Sequence, residues 1–181
     1  MTRAVDRGPP YDGCMRRIVI LIFASLLAAC ATQSPRAAAA LEVVVVRHAE
    51  KLADGADPAL SDAGRARAQR LAYLLRDAPL VAVYSTDTQR TRQTAKPSAD
   101  EHGLALTIYN PRMPPAEFIA WLKQNHPQGT VLVVGHSNTA PEIASALCHC
   151  EVAPMGETEF DRVMRVRFAA DGTARLSVER N

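Results

Sequence analysis

The sequence predicts an α/β fold, a three-layer sandwich with a mostly parallel sheet, helices on both faces and an antiparallel edge. Three short apolar runs rich in β-branched residues lie at 41–46, 80–84 and 130–134. Such runs are typical of strands buried on both faces, as in parallel sheets. Segments with helical character separate the runs, and strands that alternate with helices favour an α/β sheet.

The first run, Leu41 to Val46, is the predicted first strand, and a loop over residues 51–60 follows it. Ser61 is a good N-cap for a helix that runs to about Arg76. One face of this helix is expected to be buried and to carry three leucines, Leu71, Leu74 and Leu75.

After the second strand a helix is expected from about Thr88 to Lys96. Pro97 either ends that helix or starts a new short one up to His102, because proline cannot donate a hydrogen bond to the preceding turn. A third strand is expected over 104–109 and a helix over 115–126, with Pro115 in its first turn.

The last third of the chain holds the strand at 130–134, a short polar stretch and a helix expected from about Pro141 to Leu147. Two further runs, 163–168 and 175–178, are joined through Asp171-Gly172. They predict a terminal antiparallel hairpin, which supplies the antiparallel edge of the sheet.

The amino end carries the features of an export signal. Arg16 and Arg17 precede an apolar run to Leu27, which is too short for a span of about 20 residues. The run closes on Leu-Ala-Ala-Cys and resembles the lipobox of bacterial lipoproteins, which implies cleavage before Cys30 and a diacylglycerol on its thiol. Met15 is the expected start.

This division predicts a leader over 1–30, an alanine-rich tether over 31–40 and a domain over 41–181. Residue Ala31, next to the lipidated cysteine, favours anchoring at the outer membrane on its periplasmic face. The expected localisation is therefore the cell envelope, with the membrane as a partner through the lipid.

The charge of the chain is not evenly distributed. Four of the 21 basic residues and two of the 19 acidic ones lie in the first thirty positions, so the rest of the chain is formally neutral. Nucleic-acid binding needs a net basic face that displaces counterions, so a general nucleic-acid partner is excluded. The composition, with 48% hydrophobic and 22% charged residues, is that of a packed globular domain rather than a disordered chain.

Residues suited to phosphate chemistry follow three of the predicted strands. Arg47-His48-Ala49-Glu50 follows the first, a segment ending in Arg90 follows the second, and Gly135-His136 begins the stretch after the fourth. Ligands in open α/β sheets bind at the carboxyl ends of the strands. Two histidines and two arginines are therefore expected in one pocket.

These segments resemble the histidine phosphatase superfamily, which includes phosphoglycerate mutases and short phosphohistidine phosphatases. Arg47 to Glu50 is similar to its Arg-His-Gly-Glu signature, with Ala49 in place of glycine. Three further segments match its helix start, second arginine and second histidine: Leu60–Gly64, Tyr84–Ala95 and Val133–Thr139. The resemblance covers about 43–168 and implies the fold predicted above and a phosphatase activity. The chain lacks the insertions that cover substrates in the mutases.

Phosphoryl transfer assigns a role to each residue. His48 is the predicted nucleophile, which forms a phosphohistidine that water then hydrolyses. Its attacking nitrogen must be unprotonated, so the other ring nitrogen is expected to donate to a backbone carbonyl. Arg47 and Arg90 offer planar forks for phosphate oxygens, and His136 completes the clamp. Asn138 either adds a neutral donor to the substrate or caps the next helix.

The proton donor is not assigned by the sequence, because Ser137 stands where larger relatives carry an aspartate. Glu50 is expected at the substrate, or it orients one of the two arginines. Glu117 and Glu142 are further candidates, each more typical of a solvated helix residue. Arg92, near the second arginine, is expected to be solvated or ion-paired.

The expected substrates are small phosphomonoesters or phosphoramidates. The alternatives are a phosphohistidine protein phosphatase and a catalytically inactive envelope lipoprotein that binds a phosphate ligand. No metal or other cofactor is expected. Cys148-His149-Cys150 is too tight a cluster for a typical zinc site, which leaves buried thiols or a small disulfide ring. The oligomeric state is not predicted.

Overall fold

A computed structural model describes residues 40–181 of the chain. The predicted leader, the predicted lipidation site Cys30 and the predicted tether up to residue 39 lie outside the described residues. The described strands are β1 (Glu42–Arg47), β2 (Leu80–Ser85), β3 (Leu106–Ile108), β4 (Thr130–Gly135), β5 (Arg162–Phe168) and β6 (Ala174–Arg180). The helices are α1 (Asp62–Leu75), α2 (Gln89–Glu101), α3 (Pro115–Asn125) and α4 (Thr139–Cys148). Within residues 40–181, each helix is too short or too polar to cross a membrane.

The strands form one sheet in the order β3-β2-β4-β1-β5-β6. The first four strands in the chain run parallel, whereas β5 pairs antiparallel with β1 and β6 pairs antiparallel with β5. The predicted fold class is therefore confirmed, including the antiparallel edge. Strand β1 lies between β4 and β5, in the interior of the sheet.

Two apolar cores lie on opposite faces of the sheet, which explains why β1 is apolar at successive positions. Val43 and Val45 pack into the core formed with α3 and α4. Val44 and Val46 pack into the core formed with α1 and α2. A strand covered on both faces has no solvent-facing positions, so it reads as a continuous apolar run.

The structure corrects two predictions about the helices. Helix α2 continues through Pro97 to Glu101, so the proline neither ends a helix nor starts one. Ala95 and Ala99, which precede and follow Pro97 in the helix, both pack into the core against the sheet. This burial outweighs the one backbone hydrogen bond that the proline cannot donate. In α1, Leu71 and Leu75 are buried as expected, but Leu74 is 39% exposed.

Two boundaries also differ from those predicted. Strand β3 begins at Leu106, because the amide of Leu104 still donates to the carbonyl of Ala99 at the end of α2. Helix α4 begins at Thr139, two positions before Pro141. The Thr139 hydroxyl accepts from the His136 amide at 2.9 Å and so fixes the turn that starts the helix.

Candidate active site

The carboxyl ends of the three central parallel strands meet at one edge of the sheet. Arg47 at the end of β1 is in register with Gly135 at the end of β4, and Ser85 at the end of β2 is in register with Val134. The amide of His48 donates to the carbonyl of Gly135 at 2.9 Å, which extends the pairing one residue beyond β1. The segments that carry the predicted site residues therefore begin side by side.

His48 is held in one tautomer. Its Nδ1 lies 2.7 Å from the carbonyl oxygen of Ala49, and because a carbonyl only accepts, Nδ1 carries the proton. The residue is 4% exposed, and burial lowers its pKa to about 4, with the charges of Arg47 and Arg90 acting in the same direction. Near neutral pH the imidazole is therefore uncharged, and Nε2 holds a free lone pair.

The backbone that follows His48 is fixed by contacts with two helices. The amide of Ala49 donates to Thr94 Oγ1 in α2 at 2.9 Å. Ala49 is buried in a small apolar cluster with Leu60 and Ala68, so its methyl group has a place in the core. Replacement of the usual glycine by alanine is thus accommodated by packing.

Helix α1 approaches this backbone closely at Gly64. A Cβ atom at that position would lie 2.0 Å from the carbonyl oxygen of Glu50. The same oxygen accepts from the Ser61 amide at 3.0 Å, and the Ser61 side chain accepts from the Gly64 amide. The helix start therefore holds the segment that begins with His48.

Arg47 is held by a loop that precedes β5. Its Nη1 donates to the carbonyls of Gly156, Glu157 and Glu159 at 2.8, 3.0 and 3.1 Å, and its guanidinium carbon lies 4.3 Å from the centroid of the Phe160 ring. Arg47 is 5% exposed, and its Nε has no hydrogen-bond partner among the described residues. Nη1 is thus fixed by protein, whereas Nε and Nη2 make no hydrogen bond among the described residues.

Arg90 projects from the first turn of α2 toward the loop at 51–60. Its Nη1 lies 3.5 Å from Asp57 Oδ1. Both oxygens of Asp57 also accept from the amide of Gln89 at 2.9 and 3.1 Å, so this carboxylate holds the start of the helix. The loop at 51–60 is thereby attached to the site through Asp57.

His136 faces His48 across the site, with ring centroids 5.6 Å apart. Its Nε2 and the hydroxyl of Thr86 lie 2.9 Å apart, and Thr86 is hydrogen-bonded to Thr91 at 3.0 Å. Burial and the charges of Arg90 and Arg47 lower the pKa of His136. The structure therefore brings together both histidines and both arginines predicted from the sequence.

Glu50 and Asn138 are placed differently from these four residues. The carboxylate of Glu50 pairs with Arg67 in α1, at 2.7 Å from Nη2, rather than with Arg47 or Arg90. Asn138 is exposed and lies at the N-cap position of α4, as the capping alternative has it, but its side chain makes no cap hydrogen bond. Their predicted contacts with substrate stay predictions. Arg92 pairs with Asp87 at 3.2 Å, as expected.

Sequence reasoning missed the loop from Gly156 to Phe160. It lies more than a hundred positions from Arg47 in the chain and binds it mainly through backbone carbonyls. Carbonyl groups are common to all residues, so they carry no sequence signal. Phe160, whose ring centroid is 6.0 Å from that of His48, also lies outside any motif.

Cys148 and Cys150 form a disulfide, one of the alternatives left open by the sequence. His149 between them has a positive φ of 52°. Within residues 40–181 no cluster of three or more histidine, cysteine, aspartate or glutamate side chains is arranged to hold a metal ion.

Comparison with known proteins places this geometry in a known fold. Residues 43–113 match the family model of the histidine phosphatase superfamily, branch 1. The protein histidine phosphatase SixA, solved with tungstate, superposes with a TM-score of 0.64 at 20% identity, over 77% of this chain and 96% of that one. The chain has the histidine phosphatase fold.

Two further structures with the histidine phosphatase fold are similar to this chain. A phosphoserine phosphatase from Entamoeba histolytica, in complex with 3-phosphoglyceric acid, has a TM-score of 0.61 at 16% identity, over 78% of this chain and 98% of that one. A protein from Nakamurella multipartitia described as a phosphohistidine phosphatase of the SixA type has a TM-score of 0.56 at 23% identity, over 78% and 96% of the two chains. No curated protein sequence matches the chain.

Proposed function

We propose that the domain is a phosphatase that hydrolyses small phosphomonoesters or phosphoramidates through a phosphohistidine on His48. The observation that carries the proposal is the hydrogen bond from His48 Nδ1 to the Ala49 carbonyl, which leaves Nε2 unprotonated in a buried site. The match of residues 43–113 to the histidine phosphatase family model supports the same reaction.

The proposed first step is attack of His48 Nε2 on the phosphorus atom. Arg47 and Arg90 stabilise the phosphoryl oxygens, on which charge is spread in the transition state. Arg47 is suited to this because the carbonyls of the loop before β5 hold Nη1 in place, so no reorganisation is needed when substrate arrives. His136, hydrogen-bonded to Thr86, closes the opposite side of the phosphate.

A phosphohistidine side chain in a protein is the second candidate substrate. The link from β3 to α3, residues 109–114, is short, so no long insertion covers the site from that side. SixA, described as a protein histidine phosphatase, is also nearly the same length as the described domain, since the match covers 96% of it. An open site of this kind has room for a phosphorylated loop of another protein.

We also propose that Cys30 carries a lipid that anchors the domain in the cell envelope, at the periplasmic face of the outer membrane. The described chain begins at Ala40, at the amino end of β1, whereas the candidate site lies at the carboxyl ends of the strands. The site therefore lies at the edge of the sheet opposite to Ala40. The test is metabolic labelling with a fatty acid: label lost in Cys30→Ala supports the anchor, and label retained contradicts it.

The experiment that tests the phosphatase is hydrolysis of p-nitrophenyl phosphate by the full chain, with and without a chelator. We expect turnover by the wild type, no turnover by His48→Ala, and normal turnover by His149→Asn, a control at an exposed histidine. Activity that survives His48→Ala, or is abolished by the chelator, would contradict the mechanism. Binding of inorganic phosphate without any hydrolysis would favour the inactive binding protein instead.

A further inference from the structure

The loop before β5 brings a carboxylate close to the Nη2 atom of Arg47. The Nη2 atom of Arg47 lies 3.8 Å from Glu157 Oε2, a distance longer than a hydrogen bond. The carbonyl of the same residue is one of the three that hold Nη1, so the backbone of Glu157 is fixed while its side chain, 91% exposed, is free to move. A phosphate bound to Nη2 would therefore lie within reach of this side chain.

We propose that Glu157 is the proton donor to the leaving group, a role that rests on the proposed phosphatase activity. Three other carboxylates near the site are engaged elsewhere. Glu50 is paired with Arg67, and Asp57 holds the amide of Gln89 with both of its oxygens. Glu159 is paired with Arg162 and Arg180. Among the described residues, Glu157 is the carboxylate beside a phosphate-binding arginine that no hydrogen bond holds in place.

The reaction balances with Glu157 in this role. In the first step the lone pair of His48 Nε2 forms the bond to phosphorus, the bond from phosphorus to the leaving oxygen breaks, and that oxygen takes the proton of Glu157 and leaves as an alcohol. In the second step the Glu157 carboxylate takes a proton from water as the water oxygen bonds to phosphorus. The electron pair of the N–P bond returns to His48, and inorganic phosphate is released.

The charges around Glu157 make its two protonation states differ in their effect on the substrate. Arg47 faces it from β1, Glu159 lies on the same loop, and the site beyond contains His48 and Arg90. In its ionised form Glu157 competes with a phosphate dianion for Arg47, whereas in its neutral form it donates a proton without repelling the substrate. Removal of the charge is thus expected to strengthen phosphate binding while it removes the acid.

The test compares Glu157→Gln with the wild type on two substrates, p-nitrophenyl phosphate and an alkyl phosphate such as glycerol phosphate. An alkoxide needs a proton to leave and a nitrophenolate does not. We therefore expect kcat/KM for the alkyl substrate, which reports the first step alone, to fall by about 100-fold, within the usual range for a general acid. The kcat/KM for p-nitrophenyl phosphate is expected to stay close to that of the wild type, and inhibition by inorganic phosphate is expected to tighten. The matched controls are Glu101→Gln and Glu151→Gln, at exposed carboxylates at the end of α2 and after α4.

The outcomes separate this inference from the function on which it rests. Equal loss of kcat/KM on both substrates, or weaker inhibition by phosphate, would assign Glu157 to the positioning of Arg47 and overturn the proposal. Wild-type rates on both substrates would overturn it as well, with the phosphatase intact. A wild-type protein that hydrolyses neither substrate would overturn both the phosphatase and the proton donor.

Discussion

Substitution of Gly64 by alanine tests how tightly α1 is packed against the segment that carries the nucleophile. In an exposed helix this change would stabilise the protein by about 1 kcal/mol, because alanine is the better helix former. Here the new Cβ would lie 2.0 Å from the carbonyl oxygen of Glu50 and 3.0 Å from its carbon, far inside van der Waals contact. The two effects have opposite signs, so the sign of the measured change decides between them.

The magnitude follows from what must move. Relief of the contact requires α1 to shift away from Glu50, which costs about 1–3 kcal/mol for overpacking. The shift also breaks the hydrogen bond from the Ser61 amide to the Glu50 carbonyl, 3.0 Å long, worth about 1 kcal/mol. After the gain in helix propensity, the net loss in free energy of unfolding is about 2 kcal/mol, or about 8 °C in Tm for a domain of this size.

The assay is thermal unfolding of Gly64→Ala followed by far-ultraviolet circular dichroism. The matched control is Gly156→Ala, because a Cβ at Gly156 meets nothing within 4 Å and its Tm is expected to match the wild type. Hydrolysis of p-nitrophenyl phosphate well below Tm is expected to fall too, since Glu50 lies two positions after His48. A Tm of Gly64→Ala at or above that of the wild type would refute the reasoning.

Three further predictions concern the site and the disulfide. Arg90→Ala is expected to lower kcat/KM by about 100-fold, because loss of one preorganised donor costs about 3 kcal/mol of transition-state stabilisation. The control is Arg92→Ala, at an arginine paired with Asp87, which is expected to leave the steady-state kinetics unchanged. The pKa of His48, lowered to about 4 from 6.5, predicts that kcat/KM is retained down to about pH 4 and falls below it, so a rate profile that falls near pH 6.5 would contradict this prediction. Because the unfolded chain binds this proton more readily than the folded chain, the stability is present above pH 6.5 and is lost as pH falls toward 4. The disulfide between Cys148 and Cys150 closes a very small loop, so its reduction is expected to lower the free energy of unfolding by less than about 2 kcal/mol in urea titrations. A larger loss would show that the bond does more than restrict the unfolded chain.

The elements that the sequence predicted best are the strands that are buried on both faces of the sheet. Strands β1 and β4 are apolar at successive positions because both faces of the sheet are covered, and such runs are visible without any knowledge of the partners. The position of the site followed from the same strands, because His48 and His136 come directly after them. Pro97 shows the opposite case, in which a local rule for proline is outweighed by the burial of α2 against the sheet.

The parts of the site that were not predicted depend on contacts between distant residues. Glu50 was expected near the substrate on its sequence position alone, but Arg67 in the second turn of α1 takes its carboxylate. The loop that holds Arg47 acts through backbone carbonyls, which any residue supplies. Only the folded chain identifies such partners.

The measurement that tests the central claim most directly is the trapping of a phosphoenzyme on His48. The full chain is mixed with labelled p-nitrophenyl phosphate, quenched rapidly in alkali and mapped by mass spectrometry. We expect phosphate on His48, stable to alkali and labile to acid, and no label in His48→Ala. Turnover without any phosphohistidine, or label on another residue with His48→Ala still active, would contradict the account.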